Sequence, residues 1–315
     1  MRRFLAAISR YGVLLVSLVT LATFAARHFW LSDLFANLRM QQIIGILIAV
    51  ILSLCTRQFR LMCVAMICLA IHLTQMAPHL RIDDEGKQLG KEAIRIMTVN
   101  VLTKNQSHDK IIDDIQSFDP DFLAILELSS SLQNHINKSM GEQYPYTVQR
   151  SRDDGNFGIG LYSKHPIDSA DAFQLNEHVD SIEVVSKGFR IIATHPLPPM
   201  GDRLFRSRNE HLKLLAARIQ KSRKEDSPEP VIAMGDFNLT PWSPLFGDWE
   251  NNSGLRRAKR GLAIQPTWYA RVSVFPLGLI LDHVFLDPLL RCAHYRVGPP
   301  IGSDHRSVSV IVGRR

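Results

Sequence analysis

The chain of 315 residues has room for about two domains, and at 46% hydrophobic and 21% charged its composition excludes disorder and collagen-like repeats. Its 37 Lys and Arg against 30 Asp and Glu give a net charge of +7, which for the chain as a whole points to nucleic acid or an anionic membrane as partner. That charge is unevenly divided: residues 1–90 carry nine Lys/Arg against four acids, a net +5, and the remaining 225 residues carry +2.

The same first 90 residues hold three apolar runs, 11–26, 43–55 and 61–77, and none contains Asp, Glu, Lys or Arg. Each is at or below the roughly 17–25 residues that span a bilayer, but flanking residues such as Phe29, Trp30 and Leu38 can extend them. They read as about three transmembrane helices over residues 1–80. A cleaved signal peptide would explain Arg2, Arg3 and the first run, but not the two runs that follow. Arg2, Arg3 and Arg10 precede the first run, and Arg57 and Arg60 lie between the second and third, while the first loop has only Arg27 and Arg39. Positive charge stays inside, so an odd number of spans delivers the rest of the chain to the outside. Cys55, Cys63 and Cys68 lie in the apolar region and only Cys292 beyond it, which leaves no internal bridge for the second domain. Residues 81–92, polar and Gly-containing, read as a linker, and residues 93–315 as the second domain.

In that domain short runs rich in Val and Ile recur at 94–101, 122–126, 158–163, 182–185, 189–194, 231–234, 281–286 and 308–312, and these are strand-length. Helical spacing appears at 110–118 and at 209–221, where Leu212, Leu215, Ala216 and Ile219 recur every three or four residues. Interleaved strands and helices predict an α/β domain with mixed sheets.

Polar residues stand at the strand ends: Asn100, Glu127, His195, Asp236 with Asn238, Asp282, and Asp304 with His305. One such residue is ordinarily a turn or cap residue. Eight residues at six strand ends, all Asn, Asp, Glu or His, form the inventory of a divalent-metal phosphoesterase, because a sheet brings its strand ends to one rim. A hard cation, Mg²⁺ or Mn²⁺, takes oxygen ligands, and Asn100, Glu127 and Asp304 are the candidates. Asp236 is the candidate to orient and deprotonate the attacking water. His195, Asn238 and His305 can donate to phosphoryl oxygens, and Asp282 would steady His305. No P-loop, GxGxxG, GxSxG or zinc-spaced Cys/His cluster is present in the sequence.

The motifs TVNV around Asn100, ILEL around Glu127, GIGLYSKHPI (158–167), ATHPLPP (193–199), GDFN (235–238), LDHVF (281–285) and SDH (303–305) resemble the endonuclease/exonuclease/phosphatase (DNase I-like) superfamily, from about residue 94 to the C-terminus. The resemblance implies a four-layer α/β sandwich, two packed mixed sheets flanked by helices, and Mg²⁺-dependent hydrolysis of phosphoester bonds. By motif position Asn100, Glu127 and Asp304 resemble metal-site residues, Asp236 the water-orienting acid, Asn238 a phosphate contact, and Asp282 with His305 the carboxylate–imidazole pair. His195 resembles the second histidine of the nuclease and sphingomyelinase branches. Membrane segments ahead of the domain, together with HPLPP and PTW (266–268), are similar to membrane-anchored bacterial members, which implies a multi-pass protein of the cell (inner) membrane with an extracytoplasmic catalytic domain.

The basic cluster Arg256, Arg257, Lys259 and Arg260 is either a solvated loop or a grip on substrate or lipid phosphate. The expected partners are the lipid bilayer and a phosphate-containing substrate. A lipid-linked substrate is favoured over nucleic acid, because a tether enriches what lies near it and +2 is weak for a duplex reader. No protein partner is implied. A DNase I-like nuclease is the alternative enzyme. A non-catalytic binding protein on the same fold would be expected to have lost some of Glu127, Asp236, Asp282, Asp304 or His305, and all five are in place.

Overall fold

All three charge-free runs fold as helix. The computed structural model describes residues 2–80, 93–225, 228–259, 261–270 and 278–315, so the linker expected at 81–92 lies outside the described residues. The chain divides into two units: one holds Met1–Arg81 with the segments Met200–Asp202 and Thr240–Gly247, and the other holds the remainder.

In the first unit the helices are α1 (Arg2–Ala22), α2 (Trp30–Asn37), α3 (Arg39–Cys55) and α4 (Phe59–Met76). Two segments, built on α1 and α4, are long and apolar enough to cross a membrane, and the pair α2–α3, bent by 73°, makes a third if it counts as one span. The expectation of about three is met in length and composition. Helix α2 falls in what reads from sequence as a loop; its WLSDLFAN has too few apolar positions to register as a run. Small side chains let the helices approach: Val13, Ile46, Ala49, Ala65 and Cys68 share one buried seam. Leu14, Leu18, Leu21, Ile44, Ile48 and Ile51 are exposed.

The second unit is an α/β sandwich. Its elements are β1 (Ile94–Asn100), α5 (His108–Phe118), β2 (Phe122–Leu126), α6 (Ser130–Met140), β3 (Tyr146–Arg150), β4 (Ile159–Ser163), β5 (Ser169–Gln174), β6 (Asp180–Ser186), β7 (Phe189–Thr194), α7 (Asp202–Ser222), β8 (Val231–Asp236), α8 (Pro244–Ser253), β9 (Arg256–Arg257), β10 (Trp268–Tyr269), β11 (Gly278–Leu279), β12 (Asp282–Leu286), β13 (Leu290–Val297) and β14 (Val308–Arg314). Two six-stranded sheets run β13-β14-β1-β2-β4-β3 and β5-β6-β7-β8-β12-β9, and β10 pairs with β11 alone. Each large sheet contains one parallel pair, β1/β2 and β7/β8. Parallel neighbours need a long crossover, and α5 and α7 supply it.

Alternation along the strands sorts the layers. On β1, Ile94 and Ile96 face inward and meet Ile191, Ala193, Ile232, Met234 and Val284 of the other sheet in one core. Met97 and Val99 face outward under α5 and α6, against Ile111, Ile115, Leu132 and Ile136. On the second sheet α7 buries Leu212, Leu215, Ala216 and Ile219, the residues whose spacing predicts it. The helix starts at Asp202, seven residues before the sequence pattern at 209–221 begins. Two mixed sheets flanked by helices match the expected fold class.

Candidate active site

The inward stripes that fill the core continue past it at one end of the sheets, and there they turn polar. Asn100 follows Ile94, Ile96 and Thr98 on the inner side of β1; His195 follows Ile191 and Ala193; Asp236 follows Ile232 and Met234; Asp282 precedes Val284 and Leu286. Pairing sets them level, since Asp282 is the partner of Asp236 across β12/β8 and Asn100 that of Leu126 across β1/β2. Asn100, Glu127, His195, Asp236, Asp282 and His305 are all buried.

Asn100 ties the two sheets together. Its Nδ2 donates to Glu127 Oε1 at 3.0 Å and to Asp236 Oδ2 at 3.3 Å, while its Oδ1 accepts from the Leu102 amide at 3.1 Å. Glu127 has φ of 58°, a left-handed conformation that costs a non-glycine residue about 1–3 kcal/mol and is retained where surroundings over-determine it. Its Oε2 accepts from the Thr103 amide at 3.3 Å. Asp236 lies 3.4 Å from His195 Nε2 and 3.7 Å from His305 Nε2, and its Oδ1 accepts from the Asn238 amide at 2.9 Å. His305 Nδ1 donates to Asp282 Oδ2 at 2.9 Å. Asn238 Nδ2 uses one N–H on Pro196 O at 3.0 Å and has a second for a substrate oxygen.

The electrostatics follow from this arrangement. Burial by itself would lower the His305 pKa, but Asp282 and Asp236 outweigh it and raise the group from 6.5 to about 10. Burial opposes the charge on Asp236 too, and the facing His305 and His195 overcome it, holding the carboxyl below its ordinary range. His195 is raised in the same way, burial lowering it and Asp236 more than compensating. The site therefore holds a carboxylate, Asp236, facing one imidazolium, His305, at neutral pH, with a second imidazole, His195, whose protonated form the same carboxylate favours.

Two sets of groups fit a divalent cation by spacing. Asp236, Asp282 and His305 present atoms within 4.8 Å of one another, but a histidine held as a cation has no lone pair to give a metal, so these three form an ion-paired row, His305 hydrogen-bonded to Asp282 and facing Asp236 at 3.7 Å. Glu127 has the better chemistry. It is a buried carboxylate sharing one amide donor with a second buried carboxylate, Asp236, and no Lys or Arg ion-pairs with it among the described residues. Uncompensated negative charge of this kind, with oxygen donors only, suits Mg²⁺ or Mn²⁺. Asp304 is half-buried beside His305 and adds to the negative field there; its carbonyl accepts from the Tyr269 amide at 2.9 Å.

Of the basic cluster, Arg256 and Arg257 lie on a strand away from this rim. Arg256 and Arg257 pair with Leu286 and Phe285, at the end of β12 opposite Asp282, which is roughly 10–13 Å away along the strand. Arg257 is also engaged locally, its Nη2 donating to Ala263 O at 2.8 Å and to Tyr295 Oη at 3.3 Å. Arg260 lies outside the described residues. Cationic residues close in sequence and bounded by Gly gave no hint of which strand end they would occupy.

Several supporting residues escape sequence reasoning. Thr267 Oγ1 accepts from the Leu281 and Asp282 amides, each at 3.0 Å, and so fixes the backbone of Asp282. Ser303 Oγ donates to Asn100 O at 2.9 Å and accepts from the His305 amide at 3.0 Å. Arg208 Nη1 donates to Asn238 O at 2.9 Å, and the Phe157 ring lies 5.4 Å from that of His195. The PTW and SDH motifs mark the first two positions, whereas nothing in the chain marks Arg208 or Phe157.

Gly235 is the backbone pivot of the GDFN turn. Its φ is 148°, and a Cβ there would sit 1.9 Å from Thr194 O on the parallel neighbour β7. Gly235→Ala is expected to destabilise the protein by about 3 kcal/mol or more, strain and overpacking each contributing about 1–3, and to lower the unfolding temperature measured by differential scanning calorimetry. A wild-type unfolding temperature would mean that the strands part at no cost.

Comparison with known proteins agrees with this geometry. None of the curated proteins searched matches the chain. Among solved structures, a 3′ phosphatase from Neisseria bound to a product DNA hairpin superposes with a TM-score of 0.57 at 18% identity, covering 69% of this chain and 98% of that one. An endonuclease/exonuclease/phosphatase from Beutenbergia cavernae gives 0.56 at 17% identity, covering 71% and 72%. Sphingomyelinase C from Streptomyces griseocarneus gives 0.54 at 15% identity, covering 70% and 99%. At such identities the likeness carries the fold alone. The model of the Endonuclease/Exonuclease/phosphatase family matches residues 97–305, from the strand that bears Asn100 to His305 itself, and the chain belongs to that family.

Proposed function

We propose that the chain is a membrane-anchored, divalent-metal-dependent phosphoesterase that hydrolyses a phosphate ester or pyrophosphate bond outside the cytoplasm, with a lipid-linked substrate. The observation that carries the chemistry is the convergence of Asn100, Glu127, His195, Asp236, Asn238, Asp282 and His305 at one end of two packed sheets. Hydrolysis of phosphoester bonds is the reaction class of the family.

Each side chain has a part that its surroundings allow. Asp236, kept ionised, orients a water and takes its proton. His305, kept cationic, and His195 donate to the phosphoryl oxygens on which charge develops, and the free N–H of Asn238 adds a third donor. Asp282 holds the His305 ring in one orientation through Nδ1. Glu127 and Asp304, with Asn100 steadying Glu127, would hold the cation, whose chemistry when bound is to polarise a phosphoryl oxygen.

The lipid preference rests on the tether. Two or three helices long and apolar enough to span a bilayer precede the second unit; inserted, they would confine it near the membrane, and confinement raises local concentration only for nearby substrates. Orientation follows from five arginines on one side of the spans against two on the other. The nuclease reading has the Neisseria phosphatase, solved with DNA, in its favour. Against it stand the +2 charge of residues 91–315 and the engagement of Arg257 at the far end of β12. The test is direct competition: full-length protein in vesicles doped with a lipid pyrophosphate, with plasmid DNA present and Mg²⁺ throughout. Phosphate release from lipid with the plasmid intact is expected. Plasmid nicking at a comparable or higher rate would move the assignment to a nuclease.

A further inference from the structure

We infer that the helical unit, beyond anchoring, sets the conformation of the active-site loop, and that Asn37 is a positioning residue for the reaction of Asp236 and Asn238; this rests on the phosphoesterase reading. The first observation is how the chain is divided. The unit formed by the N-terminal helices includes Met200–Asp202 and Thr240–Gly247. The first of these segments begins five residues after His195, and the second two residues after Asn238. Both stretches that follow catalytic strand ends, β7 and β8, thus run on into the helical unit.

The second observation is the bonding inside that unit. Asn37, the last residue of α2, accepts at Oδ1 from the Thr240 amide at 2.7 Å and from Thr240 Oγ1 at 2.9 Å. Its carbonyl accepts from Trp242 Nε1 at 2.9 Å, and its Nδ2 donates to Asp33 O at 2.9 Å. Asp33 Oδ1 accepts from Ser243 Oγ at 3.2 Å, and Arg39 Nε donates to Trp242 O at 3.0 Å. The network continues among the helices, from Arg39 Nη1 to His72 Nδ1 at 3.3 Å and from His72 Nε2 to Thr20 Oγ1 at 3.1 Å. Asp33, Asn37, Arg39, His72 and Thr20 are all buried.

An anchor needs none of this. Apolar side chains suffice to hold a helix in lipid, and ionisable groups among spanning helices are expensive enough that their presence marks a function. Here their bonds end on one short segment, TPWS, through its backbone as well as its side chains. That segment is the continuation of a turn that needs outside support. Asn238 has φ of 51°, and a backbone group is held at each of three successive positions: Arg208 donates to Asn238 O, His283 Nε2 donates to Leu239 O at 2.8 Å, and Asn37 Oδ1 accepts from the Thr240 amide. Removing the last restraint frees the turn on the side away from β8. Displacement of a positioned group by about 1 Å can cost about a hundredfold in rate, so the loss should fall on turnover more than on substrate binding.

The experiment uses the full chain in lipid nanodiscs with a chromogenic phosphodiester and Mg²⁺. It measures kcat, KM, unfolding temperature and amide hydrogen exchange over residues 238–246 for wild type, Asn37→Ala, Thr240→Val, Thr240→Ser and Leu47→Ala. Asn37→Ala and Thr240→Val are expected to lower kcat about tenfold or more, with KM within about twofold and faster exchange in that segment. Thr240→Ser, which keeps the hydroxyl, and Leu47→Ala, on an exposed helix position, should match wild type. Wild-type kcat in Asn37→Ala overturns the inference. If that variant does not fold, Thr240→Val, which lacks only a hydroxyl's bonding, decides by the same criterion. An equal fall in all variants, Leu47→Ala included, also overturns it, since that is general destabilisation. A wild-type protein silent toward phosphodiesters would instead remove the phosphoesterase reading, and the inference with it.

Discussion

Asp236→Asn is expected to lower kcat by about 10²–10⁴, the range over which a positioned general base acts, while KM changes little. The amide is nearly the same shape, so the bond from the Asn238 amide to Oδ1 survives and the turn should keep its form. What disappears is the negative charge facing His195 and His305, at 3.4 and 3.7 Å, and with it the capacity to take a proton from water. Stopped assays at saturating and limiting substrate separate the two parameters. A variant retaining more than about a tenth of wild-type kcat would show that another group activates the water.

Asp282→Asn should produce a loss of similar order and a downward shift of the alkaline limb larger than that from Asp236→Asn, since Asp282 both faces His305 as a charge and is hydrogen-bonded to it. In the wild-type protein Asp282 and Asp236 overcome burial and keep His305 protonated up to about pH 10, so activity that needs the imidazolium should persist through neutral pH and fall as pH rises through about 10. Without the Asp282 charge, burial acts against the cation with Asp236 and Asp304 opposing it. The His305 pKa then falls toward its ordinary 6.5, and the alkaline limb moves down with it. Profiles of kcat against pH for both proteins test the sign; an unmoved alkaline limb would mean that His305 does not act as a cation.

The strands were legible where they are buried on both faces. At β2, β4 and β12 every position is buried, and at β7 every position but Arg190, so their apolar composition marks them. β5, SADAFQ, is an edge strand paired only with β6 and largely exposed, so burial left no apolar signature. β3 and β13 escape for the same reason, each lying at the edge of its sheet. Helix α6 is too polar to stand out; its signals are Ser129, whose Oγ accepts from the Leu132 amide at 3.2 Å, and the spacing of Leu132, Ile136 and Met140.

The strand-end polar residues of the candidate site were legible as a pattern. Strand-end residues can be found without a topology, because core alternation continues straight into them: Met234 to Asp236 and Ala193 to His195 are each one step of the period. What the sequence could not convey is the partner of each group. That Asn100 serves Glu127 and Asp236 together depends on two sheets meeting, and that Asn37 holds Thr240 depends on contacts 203 residues apart. For Arg256 and Arg257 the converse holds, since proximity in sequence said nothing of their pairing with Leu286 and Phe285.

The central claim is that this constellation hydrolyses phosphoester bonds with the help of a divalent cation. Its most direct measurement is phosphate-ester hydrolysis by the full-length protein in nanodiscs, stripped with a chelator and then titrated with Mg²⁺ or Mn²⁺, beside Glu127→Gln under the same conditions. The account predicts no turnover after stripping, recovery on adding the ion, and a Glu127→Gln protein that needs far more ion for less activity. Turnover that survives the chelator and is indifferent to Glu127→Gln would contradict it.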